Sequence, residues 1–154
     1  MDLPFTARVP VRFRDMDAMG HVNHAVYLSY MEFGRQEYFC SMSGLRDVKA
    51  FNFIVGSVEC RYLSPATLGE TVLVRLGVTR FGNASFTMHY RLSEETTGRP
   101  VAQASTELVC YDYESRRPRR IPLEMRQQIT AFEARLREAP SDLAAPLPES
   151  EPHT

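Results

Sequence analysis

Nowhere in the chain do about 18 apolar residues run together, so no helix is written to cross a membrane. No CxxC pair occurs. The three cysteines, Cys40, Cys60 and Cys110, are far apart and odd in number, which argues against a zinc ribbon and a disulfide framework. Free, buried thiols are the expectation. No GxSxG is present, and Ser57 and Ser85 fall inside strand patterns, so a serine-hydrolase elbow is not supported. An excess of one charge is lacking too. Eighteen Lys and Arg face 19 Asp and Glu, and the formal net charge of -1 points to neither nucleic acid nor an anionic membrane as partner. The opening MDLPFTARVP has no basic region followed by an apolar run, so no secretory signal is read and a cytoplasmic location is expected. There is no internal repeat.

What is present suits one domain: 154 residues, with 44% hydrophobic residues to build a core. The domain is expected over residues 1–138. The last sixteen residues hold four of the ten prolines and only two leucines, and a disordered tail is expected there, over 139–154.

Arg8 to Arg14 alternates, with Val9, Val11 and Phe13 on one face, and reads as a half-buried strand. From about Asn23 to Cys40 the period changes. Tyr27, Tyr30, Met31, Gly34 and Tyr38 form one stripe of a helix. Gly34 in its middle costs about 1 kcal/mol relative to alanine, which a close approach to the packing partner would offset. Four alternating segments follow, Ile54–Leu63, Thr71–Arg80, Ser85–Leu92 and Val101–Tyr113. Gly82-Asn83 and the run Glu94 to Gly98 read as hairpin connections. Met125, Ile129, Phe132 and Leu136 mark a closing helix after Pro122. Strand, long helix, four antiparallel strands and short helix make an α+β domain: a five-stranded sheet curled around one helix.

Polar groups crowd the handover from first strand to helix, in RDMDAMGHVNHAVY (Arg14 to Tyr27). Asn23 is placed to cap the helix, accepting from the amide of Ala25 or Val26. His21 and His24 lack a third ligand at a telling distance, so a metal pair is not supported. His89 lies on the outward face of its strand and is given no role. Asp15 reads as a turn-forming carboxylate bonded to local amides.

Three stretches together carry a family resemblance. They are Phe13-x-Asp15-x-Asp17-x-x-Gly20-His21-Val22-Asn23-His24-Ala25-x-Tyr27, then Tyr62-Leu63-Ser64-Pro65-Ala66 with Gly69-Glu70, and Cys110-Tyr111-Asp112 before an arginine-bearing loop and Ile121-Pro122. From about Val9 to Phe132 the chain resembles hotdog-fold acyl-CoA thioesterases of the 4-hydroxybenzoyl-CoA thioesterase type. The resemblance implies hydrolysis of an acyl-coenzyme A thioester with no cofactor beyond the substrate's own coenzyme A. It also implies a homodimer or homotetramer with active sites at the subunit interface. Asp17 is the residue the family pattern assigns to attack, as general base or as nucleophile. The amide of His24, at the positive end of the helix dipole, would polarise the carbonyl. Asn23 would serve as cap, with water or substrate contact as a second role. Tyr27 is expected in the core or lining the acyl pocket. Arg117, Arg119 and Arg120, with Arg116 beside them, are expected near the coenzyme A phosphates. The alternatives on this fold are an enoyl-CoA hydratase or dehydratase using His21 or His24, and a non-catalytic acyl-CoA binding module. The apolar helix, Phe51 and Phe53 lean toward fatty or aromatic acyl groups.

Overall fold

The computed structural model describes residues 1–44, 46 and 52–139, so most of the expected tail and Phe51 lie outside the described residues. Strand β1 (Phe5–Pro10) is followed by a 3₁₀ turn (Phe13–Asp15) and helix α1 (Val26–Ser43). Then come β2 (Phe53–Tyr62), β3 (Thr71–Phe81), β4 (Ser85–Glu94), β5 (Pro100–Asp112), a two-residue β6 (Arg117–Pro118) and helix α2 (Leu123–Glu138). All pairings are antiparallel, in the order β1-β3-β4-β5-β2, with β6 on β5. This is the expected α+β sheet around a helix, with β6 as an addition.

The inner face follows the alternation read from the sequence. Val72, Val74 and Leu76 of β3, Phe86, Met88, Tyr90 and Leu92 of β4, and Ala102, Ala104, Thr106, Leu108 and Cys110 of β5 are all buried. The α1 stripe Tyr27, Tyr30, Met31, Gly34 and Tyr38 packs onto that face. Gly34 has the close approach its cost implied: a Cβ there would lie 3.1 Å from Val74 Cγ1. The helix ends at Gly44, whose φ of 71° is left-handed, the conformation glycine adopts without strain.

Two expectations need correction. The first strand stops at Pro10 rather than running to Arg14. Its partner β3 begins at Thr71, so the ladder runs out after Val11 donates to the Glu70 carbonyl. The chain then turns, and Phe13 is 81% exposed instead of inward. Second, α1 begins in regular form at Val26, after a turn at His24 and Ala25, so Ala25 rather than Asn23 stands at its N-cap and makes no side-chain capping bond.

α1 lies mainly over β1 and β3 and meets the inner face of β2 near its ends, through Phe39 against Phe53 (ring centroids 4.9 Å apart) and Tyr27 against Tyr62 (5.5 Å). Val55, Val58 and Tyr62 are exposed there, on a strand whose outer edge has no partner among the described residues. The opposite corner is closed by α2 through a buried carboxylate. Glu133 Oε1 accepts from the Tyr38 hydroxyl (2.7 Å) and from the Val78 amide (2.6 Å), and its Oε2 from Arg137 (3.1 Å). Val78 lies beyond the end of β1, so this side chain satisfies an amide that no strand reaches. Glu133→Ala leaves the buried Tyr38 hydroxyl and the half-buried Val78 amide unpaired and is expected to cost about 2–4 kcal/mol in urea unfolding. A loss below about 0.5 kcal/mol would show the contact to be incidental.

Candidate active site

The loop from Met16 to Val22 is a tight hairpin. Met16 and Val22 form an isolated antiparallel bridge, the Asp17 amide donates to the His21 carbonyl (2.7 Å), and Gly20 supplies φ of 79°. The two aspartates divide the work. Asp15 is buried, and its Oδ2 accepts from the Arg12 amide (3.0 Å) and the Tyr30 hydroxyl (2.7 Å), while Arg12 Nη2 reaches Oδ1 (3.2 Å). Burial alone would push the Asp15 carboxyl up. The Arg12 amide, the Tyr30 hydroxyl and the Arg12 guanidinium outweigh it and hold it below the usual range. Both oxygens are therefore engaged, Oδ2 tying the turn to α1 through Tyr30 and Oδ1 held by Arg12. Asp17 differs: its Oδ1 accepts from the Met19 (2.8 Å) and His21 (3.2 Å) amides, and Oδ2 has no hydrogen-bond donor among the described residues.

Asn23 joins this loop to the helix. Its amide donates to the Asp15 carbonyl (2.8 Å), its Oδ1 accepts from the Ala25 amide (3.0 Å), and its carbonyl from Val26 (2.9 Å). With those opening amides engaged, the amide of His24 has no acceptor among the described residues. The Tyr62 hydroxyl donates to the His24 carbonyl (2.8 Å) and so fixes that peptide from the side of β2.

Asp17, His24, Tyr27 and Tyr62, with Ser64 and Pro65, line one open cleft of about 380 Å³. Tyr27 is buried, and its hydroxyl accepts from the Ala66 amide (3.0 Å). The Ala66 carbonyl in turn accepts from the Val22 amide (2.9 Å), so the 64–66 wall is tied to both the hairpin and α1. Arg99 braces the same wall, donating to Ser64 Oγ (3.1 Å), the Pro65 carbonyl (3.0 Å) and the Glu70 carboxylate (2.9 Å). Burial acts to raise the Glu70 carboxyl, but the hydroxyl and amide of Thr67 and the Arg99 guanidinium hold it low. Arg99 carries no local signal of a site role, and Tyr62, Ser64 and Pro65 are marked in the sequence only by the family resemblance, without a role. Their part depends on β2 and β5 meeting at Tyr62 and Ala102, a long-range pairing that the sequence does not announce.

The arginine loop lies at the far end of β5. Arg117 and Pro118 form β6 against Asp112 and Tyr111, and the Arg119 amide donates to the Cys110 carbonyl (2.9 Å). Arg120 Nε donates to Asn83 Oδ1 (3.1 Å). About 27 Å of extended chain separates Ala102, beside the cleft, from Cys110, beside the loop. Within one chain the structure therefore does not bring Arg117, Arg119 and Arg120 to Asp17.

Asp17, with one carboxylate oxygen free of donors among the described residues, and His24, whose amide has no acceptor among them, thus line the same cleft; a carboxylate and a backbone donor are the groups that attack on a polarised carbonyl requires. Comparison with known proteins points the same way. A family model described as the thioesterase-like superfamily matches residues 11–129. The acyl-CoA thioesterase YbgC of Haemophilus influenzae is 27% identical over 130 residues, 82% of this chain and 94% of that protein. The long-chain acyl-CoA thioesterase FadM of Escherichia coli is 24% identical over 124 residues, 79% of this chain and 94% of that protein. Among solved structures, a thioesterase from Thermus thermophilus complexed with coenzyme A and zinc superimposes with a TM-score of 0.78 at 36% identity. That match covers 86% of this chain and 96% of the other.

Proposed function

The chain belongs to the thioesterase-like superfamily and is a thioester hydrolase; from that premise we propose that it cleaves acyl-coenzyme A to the free acid and coenzyme A. The observation that carries this reading is the shared cleft of Asp17 and the His24 peptide. The thioester oxygen accepts from the His24 amide, and Asp17 Oδ2 either takes a proton from water or attacks the carbonyl carbon itself. Asn23 holds the turn that carries this amide, and Tyr62 holds the His24 carbonyl.

The working unit in this proposal is a homodimer formed along β2. Among the described residues no strand pairs with the outer edge of β2, and Val55, Val58 and Tyr62 on its inner face are exposed, a combination natural proteins rarely leave to solvent. A two-fold axis through its middle sets the Phe53 end of one copy beside the Tyr62 end of the other. The arginine loop follows β5 at the Phe53 end, because Phe53 pairs with Cys110. The second copy then supplies the cations that a single chain keeps away from Asp17, and they meet the coenzyme A phosphates. A cytoplasmic location fits a coenzyme A ester as substrate.

The direct experiment is free-thiol release from a panel of acyl-CoA esters. Hydrolysis of saturated esters is expected. Loss of the conjugated double bond of an enoyl-CoA without thiol release would favour a hydratase instead.

A further inference from the structure

The inner face beyond the cleft has a defined course. From Tyr62 the register steps along β2 and β5 through Tyr62 opposite Ala102, Cys60 opposite Ala104 and Val58 opposite Thr106. Tyr90 of β4 also stands opposite Ala104. Ala102 and Ala104 are small and buried on that face, Val58 and Tyr62 of the neighbouring β2 are exposed, and Leu28 and Arg35, seven residues apart, share one side of α1. Phe39, Phe53 and Phe86 close the far end, with ring centroids 4.9–6.3 Å apart.

A polar cluster stands just before that closure. Arg35 Nη1 donates to the Tyr90 hydroxyl (3.3 Å), which lies 2.9 Å from Thr106 Oγ1. Tyr90 and Thr106 are buried, and Arg35 is half-buried. Among the described residues no carboxylate pairs with Arg35, although Glu32 lies one turn away on the same helix. A guanidinium carries five N–H donors in a planar fork, and among the described residues one of them is engaged. The fork matches a carboxylate bidentately.

We propose that the preferred acyl group carries a second carboxylate at the end remote from the thioester, and that Arg35 binds it while Tyr90 and Thr106 orient the guanidinium. This deepens the acyl-CoA reading and rests on it. Val26 and Arg35 are separated by about 13 Å of helix, which suits an acyl chain of medium length.

The test compares pairs of coenzyme A esters of equal chain length, one monocarboxylic and one bearing an ω-carboxylate, by free-thiol release. The wild-type protein is expected to favour the ω-carboxy ester by about tenfold or more in kcat/KM. Arg35→Leu should abolish that preference, mainly through KM, with little change on the monocarboxylic ester; Arg35→Lys should restore part of it. Equal losses on both esters, or a wild-type preference for the monocarboxylic one, would overturn the proposal. Dissociation of Arg35→Leu in sedimentation would overturn it too, by showing that Arg35 pairs across subunits. Release from none of the esters would overturn the acyl-CoA reading itself, and this proposal with it.

Discussion

Asp17→Asn is expected to lower kcat/KM for thiol release by about a thousandfold or more, with folding and ester binding retained. The asparagine Oδ1 can still accept from the Met19 and His21 amides, so the hairpin keeps its local bonds. What it loses is a group able to take a proton or form an acyl bond. A thousandfold is about 4 kcal/mol of barrier, more than a surface substitution elsewhere would produce. Calorimetric binding of a coenzyme A ester and a thermal melt separate this from unfolding. Turnover above about a tenth of wild type would move the chemistry to another residue. Asp15 is a poor replacement, since Arg12 and Tyr30 already engage its carboxylate.

The second large effect concerns a main-chain group. His24→Pro removes the N–H that would bind the oxyanion, and a loss of about a hundred- to a thousandfold in kcat is expected. His24→Ala retains the amide and should stay within a few-fold of wild type. The contrast between the two variants, measured by steady-state kinetics, isolates the backbone donor from the imidazole. Proline is tolerated in an opening turn, and circular dichroism checks that α1 persists. Should the proline variant fail to fold, Tyr62→Phe offers a milder probe, because it frees the His24 carbonyl without touching the turn. Equal activity of His24→Pro and His24→Ala would remove the amide from the mechanism.

Much of the fold was legible because its strands are half-buried. The alternation at Phe86, Met88, Tyr90 and Leu92 named the inner face residue by residue, and Gly34 announced the close contact with Val74. Phe13 misled for a definite reason: alternation continues in the sequence after the partner strand has ended, and Asp15 draws the chain into a turn by accepting from the Arg12 amide. The order of strands was not legible either, since β2 pairs with β5 across a long separation. The same limit hid Arg99 from the site and left Tyr62, marked by the family resemblance, without a role there. The bond from the Ala25 amide to Asn23 was readable because the partners are two residues apart, but it closes the turn before α1 and does not cap the helix, whose N-cap is Ala25.

Mixing two inactive variants tests the shared site most directly. One carries Asp17→Asn; the other has Arg117, Arg119 and Arg120 replaced by alanine. If each cleft takes its carboxylate from one copy and its arginines from the other, a hybrid dimer holds one intact site, and an equal mixture should recover roughly a quarter of wild-type turnover. No recovery, with hybrid dimers shown to form, would contradict a site divided between subunits.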